Sequence, residues 1–172
     1  MQLPKISLYV AIDEKRGIGR DNKVPWRLRE DLVRLKNKTI GHVVIVGRTT
    51  YESMLGYYAK SGKPTMSMRT HIVVTRDPSY AVDADKGFAV TSIDEAIAKA
   101  KEIEKEEIFI LGGAKIFEQT MHIADRIYLT IVHHDFDADT FFPEYESEFS
   151  KVVEKEERSD WDYPYTFITL EK

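Results

Sequence analysis

The chain has 172 residues, 42% hydrophobic and 31% charged, with a formal net charge of -4. That length suits about one domain with a sizeable core, and the acidic balance argues against a nucleic-acid protein, which would carry a basic face. Cysteine is absent, which excludes disulfides and thiolate chemistry, and no apolar run reaches the length of a membrane span.

The first predicted element is a strand, "ISLYVAI" (6–12). The stretch before it has no charged segment leading into a long apolar run, so a signal peptide is not expected and the chain reads as cytoplasmic. A long loop, "DEKRGIGRDNKVP" (13–25), comes next. The stretch "NKVPWRLREDLVRLK" then reads as a turn followed by a helix over 26–37. Leu28, Leu32 and Leu35 fall at i, i+4 and i+7 and form one apolar stripe. Pro25 suits the first helical position or the one before it, which places Asp31 more than a turn inside, at the edge of that stripe. A helix starting near Arg29 would make Asp31 an ordinary first-turn acid, favoured by the helix dipole. This segment alone leaves both readings open.

The next strand, "HVVIVG" (42–47), ends at Gly47 and leads into Arg48-Thr49-Thr50-Tyr51-Glu52. Thr49 and Glu52 have capping-box spacing, and a short helix is expected after Arg48. A second long loop covers 56–69. Strands follow at 71–76, ending in Thr75-Arg76, and at 87–91. A helix is expected over about 94–105, and a strand, "EIFILGG" (107–113), ends in Gly112-Gly113. A helix over about 114–123 and a strand over 126–132 come next. Two alternating segments, 149–158 and 165–172, read as an antiparallel hairpin. Continuous apolar strands separated by helices imply a mainly parallel sheet covered on both faces.

Three of these strands end in residues suited to anions. A glycine, an arginine and a helix start converge at Gly47-Arg48. Arg76 lies just past a strand end, where open α/β sheets bind ligands. Gly112-Gly113 allows close backbone approach. Each is weak alone, but together they suit a ligand with several phosphates. No G-x-G-x-x-G follows a strand, and there is no Walker A motif. Asp135, Asp137, Asp139 and Glu146 imitate the spacing of a calcium loop. Thr140 stands where that loop needs glycine, and Pro143 interrupts it, so no metal is expected. His133 and His134 are adjacent, point to opposite faces of a strand and cannot share an ion.

In order and spacing, "GIGRDNKVPW", "LREDLVRLK", "VIVGRTTYESM", "RTHIVVTR", "SIDEAI", "ILGGAKIFEQ", "RIYLTIV" and "DADTFFP" resemble dihydrofolate reductase along nearly the whole chain. The resemblance implies a single domain over 1–172, a three-layer α/β sandwich. Its central eight-stranded sheet would be mostly parallel, with an antiparallel C-terminal strand and about four flanking helices. It also implies a monomer that takes NADPH and the small molecule dihydrofolate.

Asp31 matches the family's pterin-binding acid on the first helix, and by that likeness it would assist protonation of N5 while hydride reaches C6. Thr130 matches the threonine that hydrogen-bonds this acid, and Trp26 the tryptophan beside the catalytic water. Tyr9, Ala11, Leu32, Leu35, Met54 and Leu111 would line the substrate site. Arg69 would pair with the glutamate α-carboxylate. Ala11, Ile18, Gly19, Asn22, Lys23, Gly47, Arg48, Thr49, Thr50, Thr75, Arg76 and Leu111 would contact the cofactor. So would Gly112, Gly113, Ala114, Lys115, Ile116, Phe117 and Gln119. The Gly112-Gly113 bond would be cis, and loop 13–25 would be a lid over the nicotinamide.

The chain departs from the family in places. Tyr9 stands where Ile or Val is usual, and a phenol there must crowd the pterin or turn aside. Phe117 stands where many members have Tyr. "TMSM" replaces Leu-Pro before Arg69, which affects the alignment of Met66. Val24 stands where a longer apolar residue is common. Two alternatives remain: a same-fold pyrimidine reductase of riboflavin synthesis, which would not need Asp31 or Arg69, and a non-catalytic NADPH- or folate-binding module.

Overall fold

The computed structural model describes residues 2–62, 68–82 and 86–172. In chain order the strands are β1 (Lys5–Ile12), β2 (Gly17–Gly19), β3 (Val43–Gly47), β4 (Thr70–Val74), β5 (Lys86–Val90), β6 (Glu107–Ile110), β7 (Arg126–Val132), β8 (Thr140–Phe141), β9 (Lys151–Arg158) and β10 (Tyr165–Glu171). The helices are α1 (Arg29–Thr39), α2 (Arg48–Ser61), α3 (Ile93–Ile103) and α4 (Ala114–Thr120), the last running into a 3-10 turn at Met121–Ile123.

Eight strands form one sheet in the order β5-β4-β3-β6-β1-β7-β10-β9. Every pairing from β5 to β7 is parallel, and β10 runs antiparallel to both of its neighbours. The strand alternation divides the core. Ile6, Leu8, Val10 and Ile12 of β1 face α3 and α4. On the opposite face Tyr9 packs with Val44, Phe109 and Tyr128 against Leu35 of α1. Beside it, Val46 and Val73 pack against Tyr51 and Met54 of α2. Helices therefore cover both faces, which gives the three layers expected. The parallel strands point their C-terminal ends to one edge, where β3, β4 and β6 are neighbours.

Several local expectations need correction. Helix α1 begins at Arg29, not 26. Leu28 stays extended because it and Trp26 are pulled into a cluster with Val132, Tyr165 and Phe167. Asp31 is therefore a first-turn acid by position. Helix α2 is not short: it runs through Gly56, where the expected loop began, and stops at Gly62, whose φ is 69°. Its capping box does not form. Thr49 already lies inside the helix, and the Glu52 carboxylate accepts from Arg48 Nε at 3.0 Å and Tyr80 Oη at 3.2 Å instead. The strands expected to reach Arg76 and Gly113 end at Val74 and Ile110. Of the "TMSM" stretch only Met68 is described, and Thr65, Met66 and Ser67 lie outside the described residues.

Loop 13–25 is partly ordered as a strand. β2 pairs with β8, tying the loop to the segment after β7. Asp13, almost fully buried, accepts from the backbone N–H groups of Lys15 (2.9 Å), Gly17 (2.7 Å) and Phe136 (3.2 Å). A Cβ on Gly17 would collide with Ala138 and with that carboxylate, so the turn needs glycine.

Candidate active site

The site's centre is a carboxylate whose chain position looks ordinary and whose surroundings are not. Asp31 is 9% exposed, and its Oδ1 accepts from Thr130 Oγ1 at 2.6 Å and from Tyr9 Oη at 3.0 Å. Tyr9 and Thr130 come from adjacent parallel strands, and Ala11 is the register partner of Thr130. Burial pushes the Asp31 carboxyl above its ordinary value, because the charged form loses water. The hydrogen bonds from Thr130 and Tyr9 and the charge of Arg34 oppose that shift.

Arg34 joins the site without a mark of its own in the sequence pattern. Its guanidinium lies 4.8 Å from the Phe167 ring, 5.7 Å from Tyr128 and 5.8 Å from Tyr9. It donates to Leu129 O at 3.2 Å and to Thr169 Oγ1 at 3.3 Å. The spacing Asp31 to Arg34, i to i+3 on one helix, was the available signal.

Leu32 and Leu35 are half-buried on α1, and Leu111 packs with both Leu35's cluster and that of Met54. The structure therefore brings Tyr9, Leu35, Met54 and Leu111 to one face of the sheet. Trp26 is buried with Ala11 packed against its cluster, and its ring lies 5.1 Å from Phe136.

Arg69 is fastened to the other end of α1. Its Nε donates to Thr39 Oγ1 at 2.7 Å, its guanidinium reaches Lys36 O at 3.4 Å, and Thr39 in turn donates to Leu35 O at 2.7 Å. Burial draws the Arg69 pKa down, with Tyr58 opposing it. Thr39, which orients this arginine, was missed in sequence because a threonine at a helix end has many uses.

The edge of strand ends is built from backbone. Gly47 N donates to Gly112 O at 2.7 Å, and the Gly112-Gly113 bond is cis. A Cβ on Gly112, whose φ is 108°, would lie 2.8 Å from the Phe117 ring. One on Gly113 would meet Thr50 Oγ1 at 2.9 Å, and one on Gly47 would meet Ile116 at 3.2 Å. Arg48 opens α2, lies 4.3 Å over the Tyr80 ring and pairs with Glu52. Thr75 is buried just past β4, and Arg76 beyond it is exposed.

Ala114, Lys115, Ile116, Phe117 and Gln119 lie on α4, with Ile116 and Phe117 buried and Lys115 and Gln119 exposed. Ile18 and Gly19 lie on β2. Asn22 and Lys23 belong to a tight turn in which Asp21 and Asn22 both have positive φ and Arg20 and Lys23 exchange backbone hydrogen bonds. Among the described residues no three His, Asp or Glu side chains converge as a metal site.

These placements define a class: an open α/β protein with an anion-friendly edge of strand ends beside a face that buries one carboxylate. Within that class the chain belongs to the dihydrofolate reductase family, whose model, "Dihydrofolate reductase", matches residues 5–172. It is 37% identical over 164 residues to dihydrofolate reductase of Staphylococcus haemolyticus, covering 92% of each chain. It is 36% identical over 172 residues to that of Bacillus subtilis (strain 168), covering 97% of this chain and 94% of the other. A solved dihydrofolate reductase from Enterococcus faecalis, complexed with NADP(H) and RAB-propyl, superposes with a TM-score of 0.81 at 30% identity, over 97% of this chain and 95% of that one.

Proposed function

We propose that this chain reduces 7,8-dihydrofolate to 5,6,7,8-tetrahydrofolate with NADPH, and that Asp31 is its catalytic acid. The observation that carries the reading is the buried Asp31 carboxylate, held by Thr130 at 2.6 Å on a face that also gathers Leu35, Met54 and Leu111. A pterin offers an amino group and a ring nitrogen to such a carboxylate.

The spacing along α1 suits the rest of the substrate. From Asp31 to Thr39, the partner of Arg69, is roughly 12 Å at 1.5 Å per residue. One helix therefore presents an anion to the heterocycle and a guanidinium to a distant carboxylate, for which a bidentate fork is well matched.

The strand-end edge fits a dinucleotide. Gly47, Gly112 and Gly113 bring bare backbone to that edge, where a Cβ would meet Ile116, the Phe117 ring and Thr50 respectively, and Arg48 and Arg76 supply positive charge. Those residues, with Thr49, Thr50 and the start of α4, would hold the phosphates. When bound, NADPH supplies the hydride.

The protein's own part is orientation, electrostatics and proton supply. Oδ2 of Asp31 would accept from the pterin's amino and ring N–H groups. A carboxyl raised by burial is partly protonated nearer neutrality, so it favours proton uptake at N5. Ala11 and Trp26 would shape the wall beside the reacting ring. We read residues 1–172 as one domain acting as a cytoplasmic monomer.

The test is the loss of NADPH absorbance when dihydrofolate is added to the pure protein. Sustained turnover that requires both ligands is expected. NADPH binding without turnover would overturn the substrate assignment and leave the cofactor edge standing.

A further inference from the structure

β1 presents one phenol on the face beneath α1. Tyr9 is 5% exposed, with its ring 6.3 Å from Tyr128 and 5.8 Å from the Arg34 guanidinium. Its Oη lies 3.0 Å from Asp31 Oδ1 and 3.1 Å from Asp31 O, so one hydroxyl proton is shared between two acceptors of the same residue. Thr130 occupies the same Oδ1. Both hydroxyls thus fall on one carboxylate oxygen, and Oδ2 has no hydrogen bond among the described residues. The phenol has turned aside into the helix's underside, and it closes on the acid.

We propose that Tyr9 is a positioning residue for the reduction read above: its hydroxyl locks the Asp31 carboxylate so that Oδ2 is the oxygen offered to substrate, and it favours the charged form of that carboxylate. A hydroxyl can donate to the carboxyl in either protonation state, but the bond is stronger to the anion, so its loss raises the carboxyl's midpoint. The groups facing Asp31 are few. Its own helix brings Arg34, and β1 brings Tyr9. β7 brings Thr130, with Tyr128 beyond it under Arg34. β10 brings Phe167 and Thr169 against Arg34, and neither titrates. Arg34 supports the charged form too, while burial opposes both. The phenol itself stays protonated, pushed up by burial and then by the Asp31 charge. It therefore acts as a fixed donor, not as a proton source.

Tyr9→Phe keeps the ring between Tyr128 and Arg34 and removes only the donor. Two readouts follow, with the fold checked by circular dichroism and NADPH affinity. In ligand-free protein, the Asp31 carboxyl carbon followed by NMR should titrate about half a unit to one pH unit higher in Tyr9→Phe. In single turnovers, proton supply to N5 falls as pH rises through the carboxyl's midpoint. The falling limb of the hydride-transfer rate should therefore move up by a similar amount. A merely structural role would scale the rate at every pH and leave the limb in place.

An unmoved Asp31 midpoint, or a midpoint that moves down, overturns the proposal. A wild type that does not reduce dihydrofolate would overturn the reading of the previous subsection, while the carboxyl titration would still decide what Tyr9 does to Asp31.

Discussion

The edge formed by the ends of β3 and β6 and the face beneath α1 belong to one sheet, yet they are made of different material. The edge is backbone: Gly47, Gly112 and Gly113 approach one another where side chains would collide. The face is side chain: Asp31, Tyr9, Thr130, Arg34 and Arg69 are held by one another and by the helix above them. A backbone site is fixed by what is missing from the residues, and its geometry follows from the chain's own close contacts. A side-chain site depends on burial, so its chemistry is set by the rest of the fold.

The difference also appears in stability. Burial raises the Asp31 carboxyl, so the stability it contributes is fully present below the ordinary carboxyl value and is lost as the pH rises through the raised one. The ionised carboxylate is thus the form that burial disfavours in the fold, against the support of Thr130, Tyr9 and Arg34.

The largest break in the comparison should come from Gly112→Ala. Its φ of 108° and the nearby Phe117 ring leave no room for a methyl group. We expect a loss of roughly 2–4 kcal/mol of stability from combined strain and overpacking. NADPH affinity should fall at least about tenfold, read by fluorescence quenching. A variant with wild-type Tm and affinity would show that the edge is not built from backbone as described.

Arg69→Met tests the far end of the side-chain face. Losing a charged pair to a carboxylate should raise KM for dihydrofolate by about 30- to 100-fold, with kcat within about threefold. A fall in kcat alone would place Arg69 elsewhere in the reaction.

A smaller effect should come from His71→Leu. Burial and then the Arg69 charge hold the His71 imidazole down at about 4, against an ordinary 6.5. Its contribution is present above the ordinary value and is lost as the pH falls through the lowered one. His71→Leu should therefore flatten the acid-side decline of unfolding free energy between those limits, by on the order of 2 kcal/mol, read by denaturant titration at each pH. An unchanged acid slope would assign that decline to other groups.

The sequence made the edge easier to read than the face. Gly112-Gly113 after a strand and Arg48 after Gly47 are local signals, because an absent side chain at a strand end is itself informative. The resemblance pointed to Asp31, but the residues near it did not settle its role. Its partners lie 22 and 99 positions away, and no periodicity shows that they meet. The start of α1 is easily misplaced because Pro25 looks like a helix opener, while the aromatic cluster that takes in Trp26 and Leu28 keeps both outside the helix. The end of α2 was misplaced because Gly56 read as a loop, although nothing stands near its missing Cβ and the helix tolerates it at about 1 kcal/mol. Tyr9 departs from the family visibly in the sequence, but the reach of its hydroxyl to the acid depends on how α1 lies over β1, which no local pattern encodes.

The most direct test of the central claim compares wild type with Asp31→Asn at neutral pH, with NADPH affinity, single-turnover reduction of dihydrofolate and Tm measured on the same samples. Asparagine keeps the shape and can still accept from Thr130, but it cannot take up the proton. NADPH binding within about twofold, a raised Tm and a rate lower by about 100- to 10,000-fold are the expected results. A mutant that reduces dihydrofolate at close to the wild-type rate would contradict Asp31's role as the catalytic acid.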